Sequence, residues 1–228
     1  MKIYAIAIRV LLGVSVVAGC ALFAVGQSFA QEVTVDAFQY RYEETRDEGG
    51  FMMHDFSDPP FVSVGLRDWR APETVGDFGL MYTTEVGGGK TDYRGRNAGV
   101  QTKTYYRARG EVYLAYRMTE IVTPFAGLGY RFIHDDSGGS HTENGGTAYD
   151  RQNHLFYIPM GLQFDPTEKL SFKLQANFVL RGLQYSYLTD TDPSYENAIN
   201  KQDKGYGFDI TGVYKFTPSW STYGFYRF

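Results

Sequence analysis

Residues 170–181 read L-S-F-K-L-Q-A-N-F-V-L-R, and this alternation constrains the fold more than any other feature. Leu170, Phe172, Leu174, Ala176, Phe178 and Leu180 fall on one side of a pleat. Ser171, Lys173, Gln175, Asn177 and Arg181 fall on the other, with only Val179 out of pattern. Successive side chains point to opposite faces of a strand, so the segment has one apolar and one polar face. A tilted strand crosses a bilayer in about 9–11 residues, so this one is long enough to do so. It reads as a wall strand of an outer-membrane β-barrel, with lipid on one side and a polar lumen on the other. A soluble barrel of lipocalin or immunoglobulin type would show the same alternation, but its apolar face would point inward and its inner face would not collect arginines.

Eight further segments share the rhythm: 35–43, 61–70, 74–85, 102–118, 124–133, 154–164, 205–216 and 220–228. Phe38, Tyr40 and Tyr42 share a face in the first. Val62, Val64 and Leu66 point outward in the second, as do Ala126, Leu128, Tyr130 and Phe132 in the fifth. Long polar connections (44–60, 87–99, 134–153, 188–204) alternate strictly with short turns such as Asp165-Pro166-Thr167 and Thr217-Pro218-Ser219. Long outer loops and short periplasmic turns are the pattern of transmembrane barrels. The predicted fold is therefore all-β, an antiparallel transmembrane barrel of 8–10 strands in a single domain over residues 31–228. Nine segments sit awkwardly with the even strand numbers of bacterial barrels. Either eight strands are present, or ten are intended and the last is absent.

Residues 1–30 read as a secretory leader, with Lys2 and Arg9 before an apolar run at 10–25 and a Ser28-Phe29-Ala30 cleavage site. Val17-Ala18-Gly19-Cys20 offers a competing lipoprotein site, and a retained membrane helix is a third option. Without the leader, 20 basic residues face 26 acidic ones, a net charge near −6, and no cysteine is left. No basic cluster points to nucleic acid, and no segment after residue 30 is apolar for long enough to make a membrane helix. Tyr and Phe supply 36 of 228 residues, as aromatic girdles at two membrane interfaces require.

The lumen face collects Arg67, Arg107, Arg109, Arg117, Arg131, Lys173, Arg181 and Lys215, opposed by Asp77, Glu85, Glu111 and Asp209. In a small barrel these would interdigitate as a buried ionic network that plugs the interior. The alternative is a narrow anion-tilted pore. His134, Asp135, Asp136, His141, Glu143 and Asp150 crowd one outer loop, but without the D-x-D-x-D-G register of a calcium loop they read as surface residues. Neither G-x-S-x-G nor a phosphate loop is present, so no catalytic residue, metal or cofactor is assigned. A lipid-modifying enzyme or protease is the remaining enzymatic alternative.

Several pieces resemble small Gram-negative outer-membrane β-barrel proteins, and more narrowly a proteobacterial barrel family of incompletely characterised function. They are Tyr40-Arg41-Tyr42-Glu43-Glu44, residues 124–131, Tyr149-Asp150-Arg151, residues 188–193, Asn200-Lys201-Gln202 and residues 204–207. The resemblance implies the fold and an outer-membrane location, with lipid as partner and a further strand after Phe225-Tyr226-Arg227. It brings no activity. The terminal Tyr226-Arg227-Phe228 resembles the signal read by the barrel assembly machinery. The expected role is structural or surface interaction, with an extracellular ligand left unspecified.

Overall fold

In a computed structural model, residues 32–45, 51–96 and 99–228 are described, and residues 1–30, expected to be a secretory leader, lie outside them. Twelve strands form one sheet: β1 (Glu32–Phe38), β2 (Arg41–Thr45), β3 (Phe51–Ser57), β4 (Phe61–Asp68), β5 (Phe78–Gly95), β6 (Gly99–Tyr116), β7 (Val122–Asp136), β8 (Arg151–Thr167), β9 (Leu170–Ser186), β10 (Ala198–Gln202), β11 (Tyr206–Thr217) and β12 (Trp220–Arg227). Every pairing is antiparallel. β3 and β4 both pair with β5, and β10 and β11 both pair with β9. β1 and β2 pair in turn with β4 and β3. The short strands are thus halves of interrupted staves, and the expected nine segments emerge as nine staves.

The long connections differ from expectation. β5 and β6 pair without interruption from Phe78–Tyr116 to Gly95–Gly99, so the glycine-rich stretch at 87–99 is mostly hairpin and not loop. Gly87-Gly88-Gly89 resembles a turn signal, yet here the glycines permit close approach. A Cβ on Gly87 would run into the Val62 carbonyl oxygen, one on Gly88 into the Tyr105 carbonyl and one on Gly89 into the Phe61 ring. The β2–β3 hairpin and β10 likewise add strand to connections expected to be polar loop.

The sheet curls with its polar face inside. Among the described residues, 26 buried residues are polar or charged and only 11 are apolar. The exposed large hydrophobics of the long staves stand on the convex face. Rows of them cross the sheet in register: Leu162–Leu174–Ile210, and Leu80–Leu114 continuing to Ala126–Met160. Aromatics flank this aliphatic zone. Phe78, Tyr116, Phe164, Phe172, Tyr214, Phe216 and Trp220 lie towards the short turns, and Tyr106, Tyr130, Phe156, Phe178 and Tyr206 towards the long hairpins.

Phe38 and Tyr40 do not join that convex surface. Phe38 meets the inward Phe61 and Phe225 at ring-centroid distances of 5.8 Å, and Tyr40 stacks on Phe61 at 5.1 Å. The outward positions of this stave are Val33 and Val35. Even-numbered positions face inward along the whole stave: Asp36 lies opposite Ser63, Phe38 opposite Phe61 and Tyr42 opposite the buried Asp55.

Nine antiparallel staves leave β1 and β12 as parallel edges, and no backbone pairing joins them among the described residues. Side chains span the seam: Phe38 meets Phe225, and the Arg67 guanidinium lies 4.3 Å from the Tyr223 ring centre. With cysteines at Phe38 and Phe225 in residues 31–228, a short bis-maleimide should link the two edges in refolded protein. It should not do so after heat denaturation, nor for a Phe38/Leu162 cysteine pair. Gel mobility after linking reads the result, and equal linking of both pairs would rule out this curl.

Candidate functional site in the polar interior

β6 carries the centre of the site, because its inward positions are Lys103, Tyr105, Arg107, Arg109, Glu111 and Tyr113 in sequence. Glu111 is its most heavily bonded member. Its Oε1 accepts from Arg109 Nη2 at 2.7 Å, Gln175 Nε2 at 2.8 Å and the Tyr157 hydroxyl at 2.9 Å, and its Oε2 accepts from the Tyr113 hydroxyl at 2.6 Å. Arg109 also donates to Asp209 at 2.5 Å, and Asp209 accepts from Asn177 at 3.3 Å. This knot ties β6, β8, β9 and β11 together through side chains.

Lys173, 5% exposed, meets no carboxylate within ion-pair distance among the described residues. Its ammonium lies 3.9 Å from the Tyr113 ring centre, 4.3 Å from Trp69 and 4.8 Å from Phe125. Three ring faces supply the electrostatic attraction that a carboxylate otherwise would. Beside it Met81, Tyr113, Ala115 and Phe125 pack as an apolar plug near the short turns. The space left among Trp69, Arg109, Glu111, Lys173, Asp209 and Arg227 is about 10 Å³, room for about one water.

Nearer the long hairpins, Glu85 pairs with both Arg107 and Arg227, the latter at 2.9 Å. At the level of Glu111, towards the short turns, Arg67 pairs with Glu32 at 2.7 Å. A further layer joins Lys103 to Asp135 at 3.0 Å and to Asp55 at 3.5 Å, while Arg151 reaches Asp135 at 3.4 Å and Glu44 at 3.5 Å. The Tyr105 hydroxyl donates to Asp55 at 2.7 Å.

Of the twelve expected network members, the structure brings together Arg67, Glu85, Arg107, Arg109, Glu111, Lys173 and Asp209. Five stand apart. Asp77 is exposed in the turn before β5. Arg117 sits at the end of β6 and caps turns, donating to the carbonyls of Pro72, Glu73 and Glu120. Lys215 has inward parity but lies exposed at the rim, past the last packed layer. Arg131 faces inward opposite Arg109, yet it is water-accessible and makes no ion pair among the described residues.

Arg181 leaves the interior altogether. Tyr157 pairs with Val179 but Phe156 pairs with Arg181, so β9 carries a bulge at Leu180. The extra residue reverses the alternation. Arg181 therefore points outward and pairs with Asp203, both side chains being well exposed. Val179, the one residue out of pattern in the sequence, is an inward apolar side chain.

Sequence reasoning missed Glu32, Lys103, Asp55, Asp135, Arg151 and Arg227. Parity within the expected strands could have found Lys103 and Arg227. Asp55, Asp135 and Arg151 were out of reach, because the strands holding them extend into stretches expected to be loops.

The fold and this interior define a class, an all-antiparallel curled sheet of barrel type with an ionic concave face and an apolar convex one. No family model, curated protein or solved structure matches the chain.

Proposed function

We propose that this chain is an integral outer-membrane β-barrel protein with a structural or surface-interaction role, non-enzymatic, its interior closed by the ionic network. The inverted polarity carries this reading. A sheet with charges buried on its concave face and a continuous aliphatic belt between aromatic bands on its convex face has its solvent preferences reversed relative to a soluble barrel. In water that convex belt would be an apolar patch far larger than monomeric proteins expose. Lipid is its natural covering. The long hairpins then stand outside the cell, and the leader read from residues 1–30 supplies export.

An anion-tilted pore is the second reading, favoured by one observation, the water-accessible and unpaired Arg131 on the lumen face. Refolding residues 31–228 in detergent should give a band that migrates differently before and after boiling, and the unboiled form should partition into vesicles. Incorporated into a planar bilayer, it should show no steady conductance, because the layers around Glu111 and Lys173 leave no continuous path. A stable, anion-selective current abolished by Arg131→Ala would replace the closed-interior reading with the pore. Absence of heat-modifiable migration together with full solubility without detergent would reject both.

A further inference from the structure

At the long-hairpin end, β7 closes with His134, Asp135 and Asp136, which alternation sends to different sides. Asp135 turns inward to Lys103 and Arg151. His134 and Asp136 share the other face, and the connection 137–150 returns Asp150 to them just before β8 begins. A ring nitrogen of His134 and one carboxylate oxygen each from Asp136 and Asp150 lie within 4.8 Å of one another.

His134 supplies an independent observation. It is only 5% exposed, and its Nδ1 is buried with no hydrogen-bond partner among the described residues. A buried polar atom without a partner costs free energy that a ligand can recover. The ring is held flat between neighbours, stacked at 16° to Tyr106 and at 9° to Phe132. The ring centres lie 6.1 and 6.5 Å away.

The local charge is one-sided. Asp190 joins the cluster by accepting from the Asp150 amide at 3.2 Å. Among the described residues no Lys or Arg forms an ion pair with Asp136, Asp150 or Asp190. Arg151, the nearest cation in sequence, is committed to Asp135 and Glu44. Asp150 is already oriented, since its Oδ1 accepts from the amides of Ser137 and Gly138, the outer support that ligating carboxylates usually have. Burial pushes the Asp150 carboxyl up, and the Asp190 charge adds to this, against the lowering effect of the Gly138 amide and His134.

We propose that His134, Asp136 and Asp150 form a binding site for a divalent first-row transition cation, of which Zn²⁺ and Mn²⁺ are representative. One imidazole with two carboxylates suits such ions, whereas calcium and magnesium favour oxygen-only sets. Ligand distances of about 2.0–2.2 Å require the three side chains to close in by small rotations. The cation would fasten the end of β7 to the start of β8 and so pin the base of the 137–150 loop. This site stands independently of the membrane reading.

The test is Zn²⁺ titration of the refolded chain by calorimetry, with loop proteolysis as a second readout. One saturable site is expected, with slower cleavage within 137–150 that EDTA reverses. His134→Phe keeps the stacked ring but removes the nitrogen, and Asp136→Asn removes a charge from an exposed position. Each should weaken Zn²⁺ at least about tenfold while leaving heat-modifiable migration intact, and His141→Asn should change neither. The proposal is overturned by no saturable binding at millimolar Zn²⁺, by unchanged affinity in His134→Phe, by loss of binding in His141→Asn, or by Ca²⁺ competing as well as Zn²⁺.

Discussion

Replacing Glu111 by alanine is expected to destabilise the folded barrel by about 3–5 kcal/mol, the usual cost of breaking a buried ion pair by removing one partner. Four donors from three strands converge on this carboxylate: Arg109, Tyr113, Tyr157 and Gln175. Alanine leaves all four facing an apolar methyl. Arg109 retains Asp209, Gln175 retains Asn177 at 2.7 Å and the Tyr113 hydroxyl retains only a 3.3 Å bond to Gln175, but the Tyr157 hydroxyl loses its acceptor, and the room there for water is about one molecule. Glu111→Gln should fall in between, because its oxygen still accepts while its amide nitrogen meets further donors. Glu143→Ala, in the exposed loop, should stay within about 0.5 kcal/mol of the parent. Urea midpoints of refolded protein, followed by the heat-modifiable band, measure all three. If Glu111→Ala unfolds no earlier than Glu143→Ala, the interior network contributes nothing to holding these strands together.

The second large effect concerns the opposite face. Leu174 is outward and 45% exposed, in a row with Leu162 and Ile210, between Phe172 and Phe178 on β9. Leu174→Arg is expected to cost about 2–4 kcal/mol in vesicles, the penalty for arginine near a bilayer midplane. On the surface of a soluble protein the same exchange would lie within about 0.5 kcal/mol, so the two environments differ by a large factor. Urea unfolding from lipid vesicles gives the number. Glu143→Arg controls for charge, since it lies in a loop. A neutral Leu174→Arg would mean that the convex belt does not face hydrocarbon, whatever covers it instead.

Much of this architecture was legible in the sequence, and the way it failed is informative. The nine staves were all found, because alternation is a local property that survives any tertiary arrangement. The outward placement of Val62, Val64, Leu80, Leu128 and Leu174 followed from parity alone. So did the inward placement of Arg109, Glu111, Lys173 and Asp209. Parity fails where the backbone slips. The bulge at Leu180 sent Arg181 to the outside, whereas the first stave kept its parity and turned its aromatic face, with Phe38 and Tyr40, inward. It also says nothing of depth, which is why Asp77, Arg117 and Lys215 were counted in the network although they lie at the rim or in turns.

Extent was the other blind spot. Glycine runs and clusters of Asp, Ser and Asn read as loop by composition, yet β5 and β6 continue through Gly87-Gly88-Gly89 because neighbouring strands pass too close for a side chain. The lengthened β5 gives β3 a strand to pair with and so brings Asp55 within reach of Lys103, a partner that loop composition could not suggest.

By itself the sequence determined where the nine alternating segments lie, which face of most of them is apolar and that charges would be enclosed, while the strand count stayed between eight and ten. All of these follow from the two-residue repeat of an extended chain. Partnership was decided only by the curl. Arg109 meets Asp209 across 100 residues, and Arg227 meets Glu85 across 142. His134 and Asp136 meet Asp150 only because the intervening chain folds back on β7. Such pairings depend on the curvature, shear and bulges of the whole sheet, which no local repeat encodes.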